Sequence, residues 1–217
     1  MLKLHNSYSN NVEEFKLDSN NVKVYLCGPT VQSSPHIGHG RSAVVFDFLI
    51  RYLQFSDYQV TFVRNITDIE DKIIQRSEEE GITTEELAER VTKEFQKSYS
   101  DLNCLMPNYE PKATDTIDHI IHLIEILIDK GYAYSTESGV YFEVDKYEKY
   151  LKLSGRKKDE VVSGTRVDIE SDKKNSEDFA LWKISKENEP SWNSPWGSGR
   201  PGWHIECSAM INKIFNG

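Results

Sequence analysis

Cysteine is scarce in this chain. Its 217 residues include three, Cys27, Cys104 and Cys207. The number is odd, the spacing is wide and no Cys-x-x-Cys occurs, which excludes a disulfide framework and a zinc ribbon. Thiols used as ligands or core filler, in a reducing cytoplasmic setting, are the expectation. Basic charge is short as well. Lys and Arg number 26 against 35 Asp and Glu, a net charge of −9. General electrostatic binding of nucleic acid is therefore excluded; any such contact needs a local basic face or protein outside these residues. No apolar run approaches the length that spans a bilayer. Met1 to Asn6 shows no apolar signal region. Internal repeats and low-complexity tracts are absent too.

The composition that remains suits a folded domain. Hydrophobic residues make up 38% and aromatics 11%, enough for a real core. The length fits one large domain, or a domain with an inserted subdomain. The chain is organised around Cys27-Gly28-Pro29-Thr30-Val31-Gln32-Ser33-Ser34-Pro35-His36-Ile37-Gly38-His39-Gly40. Before it, Val22, Val24 and Leu26 alternate with Lys23 and Tyr25, the pattern of a short strand. After it, Val44, Val45, Phe48, Leu49, Tyr52 and Leu53 predict a helix with those residues facing a core. Strand, turn and helix in this order open a nucleotide-binding βαβ unit. Such a turn aims backbone N–H groups at an anion. Gly28, Gly38 and Gly40 lack a Cβ, so a phosphate or an adenine ring gains close approach to the backbone.

Further along, Tyr58 to Ile66 predicts a second strand, parallel to the first through a helical crossover. Asp68 to Gly81 predicts a helix that stops at the glycine. Thr83 and Glu86 form a capping box for another, with Leu87, Val91 and Phe95 on one face. Thr114 or Asp115 is expected to cap an amphipathic helix carrying Ile117, Ile120, Ile121, Ile124, Leu127 and Ile128, ended by Gly131. Val140 to Val144 alternates as a strand. Residues 1–21 predict an arm or edge strand packed by Leu4, Val12, Phe15 and Leu17. Trp192 to Pro201 predicts an aromatic loop, and Trp203 to Phe215 a last helix. The charged run Arg156 to Glu160 suits a solvated face.

His36-Ile37-Gly38-His39 resembles the HIGH signature of class I aminoacyl-tRNA synthetases. Its flanks resemble cysteinyl-tRNA synthetases in particular: Cys27 to Val31, Val60 to Asp68, Leu153 to Arg156, Asp178 to Lys183 and Gly202 to Ser208, in the family's order over nearly the whole chain. The resemblance implies an α/β fold. A Rossmann-like parallel sheet, the first half of a class I synthetase catalytic domain, would carry an inserted α+β subdomain. The expected division is 1–109 for the nucleotide-binding half, 110–200 for the insertion and 201–217 for a helix returning to the catalytic domain.

The implied activity is ATP-dependent activation of cysteine to cysteinyl-adenylate, then transfer to tRNA(Cys). ATP enters as a substrate with Mg2+. His36 and His39 would be catalytic donors to the triphosphate, with Gly38 beside the adenosine. Gly28, Thr67 and Trp203 match positions around the amino acid. Cys27 and Cys207 match the two cysteines of a resident zinc ion, whose other family ligands are a histidine and a glutamate further on. A zinc ion favours sulfur over oxygen, so it would separate cysteine from serine where shape alone discriminates poorly.

Structural roles suit several of the same residues. His36 also fits as a helix cap, His39 as a partner for a core carbonyl, Trp203 as a core plug and Gly28 as a plain turn glycine. His204 shares a helical face with Cys207 and is an alternative ligand. Cys104 reads as a small buried hydrophobe. The family's lysine-rich KMSKS loop, second fold half and anticodon-reading domain are not in this sequence, which implies an incomplete catalytic domain with weak or no turnover. Two other functions share every motif: a ligase joining cysteine to an aminosugar, and a non-catalytic module binding nucleotide or metal.

Overall fold

A computed structural model describes residues 2–17, 19–156 and 172–216. In chain order the elements are β1 (Lys3–Asn6), β2 (Asn11–Glu14), β3 (Asn21–Leu26), α1 (Ile37–Phe55), β4 (Gln59–Arg64), α2 (Asp71–Glu80), α3 (Thr84–Asp101), α4 (Ile117–Asp129), β5 (Ala133–Ser135), β6 (Gly139–Phe142), β7 (Phe179–Ile184), β8 (Gly199–Pro201) and α5 (Trp203–Phe215). Helices and strands are mixed as in an α/β protein, and the β-α-β succession itself is β3, α1 and β4. The chain divides into two compact units.

One unit comprises 19–120, 187–190 and 205–217. Its centre is the parallel pair β3 and β4, registered from Asn21 opposite Gln59 to Leu26 opposite Arg64. Parallel strands need a long crossover, and α1 supplies it. Past the strand ends the ladder loosens without breaking. Thr67 N–H donates to Pro29 O at 3.0 Å, and Val31 N–H to Thr67 O at 3.1 Å. On the other side of β4, parallel bridges join Val63 to Tyr109 and Ile66 to Lys112. Leu26, Ile50 and Phe62 pack as one buried cluster, and Val31, Ala43, Ile66, Ile73, Leu87, Val91 and Phe95 belong to a second. Each fully buried aliphatic chain is worth about 1.5–3 kcal/mol of burial.

Local signals explain most of the helix ends. The expected box at α3 is present: Thr83 accepts from Glu86 N–H and Glu86 reaches back to Thr83. Gly81 closes α2 in the left-handed conformation, φ 68°. That helix starts at Asp71 rather than Asp68, because the Glu70 side chain caps it at Lys72 N–H while Asp68 is taken by Thr114. Thr114 and Asp115 do not cap α4 directly; a single 3-10 turn, Thr114–Thr116, leads into it. The face of α1 is also corrected. Ala43, Ile50 and Leu53 are buried, whereas Val44, Val45 and Phe48 are exposed. Apolar residues run almost all round this helix, so periodicity alone does not choose its buried side.

The other unit comprises 1–18, 121–186 and 191–204. β1 and β2 form an antiparallel hairpin, Lys3 opposite Glu14. Val12 and Leu17 are exposed there rather than packing it, since a two-stranded ribbon this short has little to cover them. A four-stranded antiparallel sheet runs in the order β5-β6-β7-β8. Asp178 ties it together, accepting from Tyr134 Oη at 2.7 Å and from Val144 N–H at 3.0 Å. In the aromatic loop Trp192 bridges to Gly199 across a turn closed by Ser194. Lys157 to Glu160 of the charged run lie outside the described residues.

Candidate functional site

The turn before α1 is closed by histidine on histidine. Gly38 N–H donates to His36 Nδ1 at 3.1 Å, and His36 N–H donates to His39 Nδ1 at 3.2 Å. Their rings lie 3.8 Å apart between centroids. This is a reciprocal cap with imidazoles where hydroxyl and carboxylate usually serve. Each Nδ1 acts as an acceptor, so each neutral ring carries its proton on Nε2. A Cβ on Gly38 would stand 2.9 Å from His36 Cε1, so the imidazole would have to shift from its capping position. His39 rests edge-on against Phe95, 4.9 Å between centroids. Burial first, then the charge of His36, holds its imidazole below the ordinary range.

The two distant cysteines meet. Cys27 follows β3 and Cys207 lies in α5, 180 positions later, yet their Sγ atoms are 3.6 Å apart. Beneath them runs a buried polar chain. Asn65 Oδ1 accepts from Gly28 N–H at 2.9 Å and lies 3.9 Å from Cys207 Sγ. Asn65 Nδ2 donates to Thr67 Oγ1 at 3.3 Å, and Thr67 Oγ1 donates to Glu206 Oε2 at 3.3 Å. Asn65, Thr67 and Glu206 are 0%, 1% and 1% exposed, so these bonds are shielded from water. Gly28 is pressed onto the Asn65 backbone: a Cβ would sit 1.7 Å from Asn65 O, which no other residue type fits.

The two thiols are shifted in opposite directions. Cys27 is drawn down to about 7, first by the hydrogen bond from Cys207. The same bond, then burial, pushes Cys207 above the ordinary thiol range. Glu206 is raised well above a carboxylic acid's usual value by burial and then by Cys207. Its Oε1 is buried with no hydrogen-bond partner among the described residues.

This pair suits a thiophilic cation as donors. Two sulfurs bound at about 2.3 Å to one tetrahedral ion stand about 3.8 Å apart, close to the separation seen. Two is also the number available. Among the described residues no group of three or more His, Cys, Asp or Glu is disposed to hold a metal. His204 packs its ring on Phe179 at 4.8 Å and on Trp203 at 5.2 Å.

The remaining expected residues are accounted for as follows. Trp203 opens α5 and is 50% exposed, so it is no core plug. Cys104 packs on the larger cluster, and burial raises its thiol. Sequence alone does not single out Asn65 or Glu206, though both lie inside the stretches Val60 to Asp68 and Gly202 to Ser208. The available signal was a polar side chain at the end of an apolar strand, and a carboxylate next to a candidate ligand.

Comparison with known proteins gives consistent results. The family model for the catalytic domain of class I (C) tRNA synthetases matches residues 13–217. The cysteine--tRNA ligase of Thermodesulfovibrio yellowstonii is 50% identical over 99% of this chain and 45% of its own length. That of Vibrio cholerae is 51% identical, over 99% and 47%. That of Methanococcus maripaludis is 51% identical, over 99% and 45%. The chain thus spans about half the length of the curated relatives it matches.

Proposed function

The chain belongs to the family of class I (C) tRNA synthetase catalytic domains, and on that premise we propose that it serves to activate cysteine with ATP for transfer to a tRNA. The observation that carries the reading is the approach of Cys27 and Cys207 to 3.6 Å beside the end of β3. The parallel β3–β4 pair, joined through α1, supports a Rossmann-like sheet as its frame.

In the activation step a carboxylate oxygen of cysteine bonds to the α-phosphorus of ATP. The bond from that phosphorus to the bridging oxygen breaks, and pyrophosphate leaves with the electron pair. Mg2+ accompanies ATP as part of the substrate. His36 and His39 have their Nδ1 atoms committed to the cap. That leaves each Nε2–H as a donor to phosphate oxygens, held by a rigid turn rather than a free side chain. The N-terminus of α1 adds favourable potential for the same anion. Gly28, Thr67 and Trp203 are the residues read as lining the amino acid, with Gly38 beside the adenosine.

Cys27 and Cys207 would hold a zinc ion. Bound there, the ion supplies preference for a thiolate over a hydroxyl. Lowering of Cys27 to about 7 favours the form that ligates. Cys27 is exposed, Cys207 half-buried and Glu206 buried, so the pair lies where the surface meets the buried polar chain.

Calorimetry on the zinc-loaded chain tests the reading. Cysteine and a non-hydrolysable ATP analogue are expected to bind, with cysteine at least about tenfold tighter than serine, in line with a difference near 1.4 kcal/mol. Equal affinity for serine, or no binding of either ligand, overturns it. Acceptance of cysteine by an aminosugar but not by tRNA would move the second step to the other ligase class.

A further inference from the structure

We infer that Asn65 is a positioning residue that sets Cys27 and Cys207 in register before any cation arrives; this rests on the thiol-pair reading above. One carboxamide reaches both sides of the pair. Its Oδ1 accepts from Gly28 N–H, the residue after Cys27, at 2.9 Å. The same oxygen stands 3.9 Å from Cys207 Sγ, on a helix 142 positions away. Tyr25, two residues before Cys27, also reaches across to the helix of Cys207, its Oη donating to Met210 Sδ at 3.6 Å, but Asn65 comes from a third segment and touches both sides.

The orientation of the carboxamide is determined. A backbone N–H cannot bond to the amide nitrogen, so the oxygen must face Gly28. Nδ2 is then aimed at Thr67 Oγ1, 3.3 Å away. The Thr67 hydroxyl is thereby used as an acceptor from Asn65, and its own proton goes to Glu206 Oε2. Asn65 is fully buried, so rotating it would strand donors and acceptors without water to satisfy them. The backbone reinforces the side chain, since Gly28 lies against Asn65 O with no room for a Cβ.

Partners that orient a ligating side chain typically change metal affinity by about 10–100-fold when removed. Asn65→Ala and Asn65→Leu test this, the leucine keeping the volume without the hydrogen bonds. Two readouts are taken on each folded variant. In the metal-free chain, phenylarsine oxide condenses with two thiols held within reach of one arsenic and releases one water; capture at Cys27 and Cys207 is followed by mass. Separately, Co2+ is titrated and the sulfur-to-cobalt absorption band recorded against a competing chelator.

Both variants are expected to slow arsenical capture at least about tenfold and to weaken Co2+ by about 10–100-fold. Wild-type capture in either asparagine variant overturns the inference, and rescue by leucine alone reduces Asn65 to a spacer. Slowed capture with no sulfur-to-cobalt band in the unmutated chain leaves the positioning role standing and removes the metal pocket. Should neither variant fold, hydrogen exchange on the unmutated chain decides: the Gly28 amide must be protected, and free exchange there overturns the inference.

Discussion

His36 and His39 cap the same helix through each other: Gly38 N–H donates to one Nδ1, and the His36 backbone N–H donates to the other. The structural and chemical roles of these residues therefore use different atoms. Asparagine separates them, because its Oδ1 occupies much the same place as Nδ1 while nothing replaces Nε2. His36→Asn and His39→Asn are expected to retain the helix within a few tenths of a kcal/mol; the alanine versions should lose about 0.5–2 kcal/mol. All four should bind a non-hydrolysable ATP analogue about 10–100-fold more weakly, the worth of a hydrogen bond to a charged group. Urea unfolding and calorimetry read the two effects. Asparagine variants that bind the analogue normally would leave the histidines as caps alone.

The position of His39 also gives a pH dependence with a definite sign. Burial and the neighbouring His36 hold the folded imidazole below its ordinary value. On acidification the unfolded chain therefore takes up this proton first. The stability contributed by neutral His39 is complete above about pH 6.5 and is lost as pH falls through the lower folded value. Unfolding in urea at about pH 7 and pH 5 should show wild type losing more stability than His39→Asn. Equal losses would mean that the ring titrates alike in both states.

Legibility followed the range of the interaction. The Thr83–Glu86 box, the stop at Gly81 and the strand from Val22 are set by neighbours in sequence, and the structure has them. Convergence of Cys27 with Cys207 depends on how a helix 180 positions away returns, and it came from family resemblance, not spacing. On α1, Leu53 is buried as its periodicity predicts, but Val44, Val45 and Phe48 are not; apolar residues lie on several sides of the helix, and tertiary packing selects Ala43 and Ile50 in their place. Asn65 is hard to read from sequence for a related reason. A buried asparagine looks unremarkable in a list of residues until its partners are known, and its partners are a glycine amide and a thiol from other segments.

Gly28→Ala provides a steric test of the same region. The added methyl carbon would lie 1.7 Å from Asn65 O, and the obstacle is backbone rather than the end of a mobile side chain. Either β3 or the segment after β4 must move. Overpacking of this kind costs about 1–3 kcal/mol, measured by urea unfolding. Because the shift parts Cys27 from Asn65, arsenical capture of the two thiols should slow as well. A variant as stable as wild type, with unchanged capture, would show that the two backbones are not in contact.

Arg64 anchors the strand end from which Asn65 projects. Its side chain is 2% exposed, and both Nε and Nη2 donate to Glu110 Oε1, at 3.1 and 2.7 Å. Gln96 Nε2 donates to the other carboxylate oxygen at 2.7 Å, and the guanidinium stacks over Tyr99 at 4.2 Å. A charge this buried is tolerated only while its partner remains, since arginine cannot shed its proton. Glu110→Leu should therefore cost about 3–5 kcal/mol, most of it the penalty of a stranded cation. Removing both charges together, Arg64→Met with Glu110→Leu, should cost much less than the sum of the single changes, because no ion is left uncompensated. A double-mutant cycle in urea measures the difference. Additive losses would mean that water reaches Arg64 and that the pair contributes little to holding the segment in place.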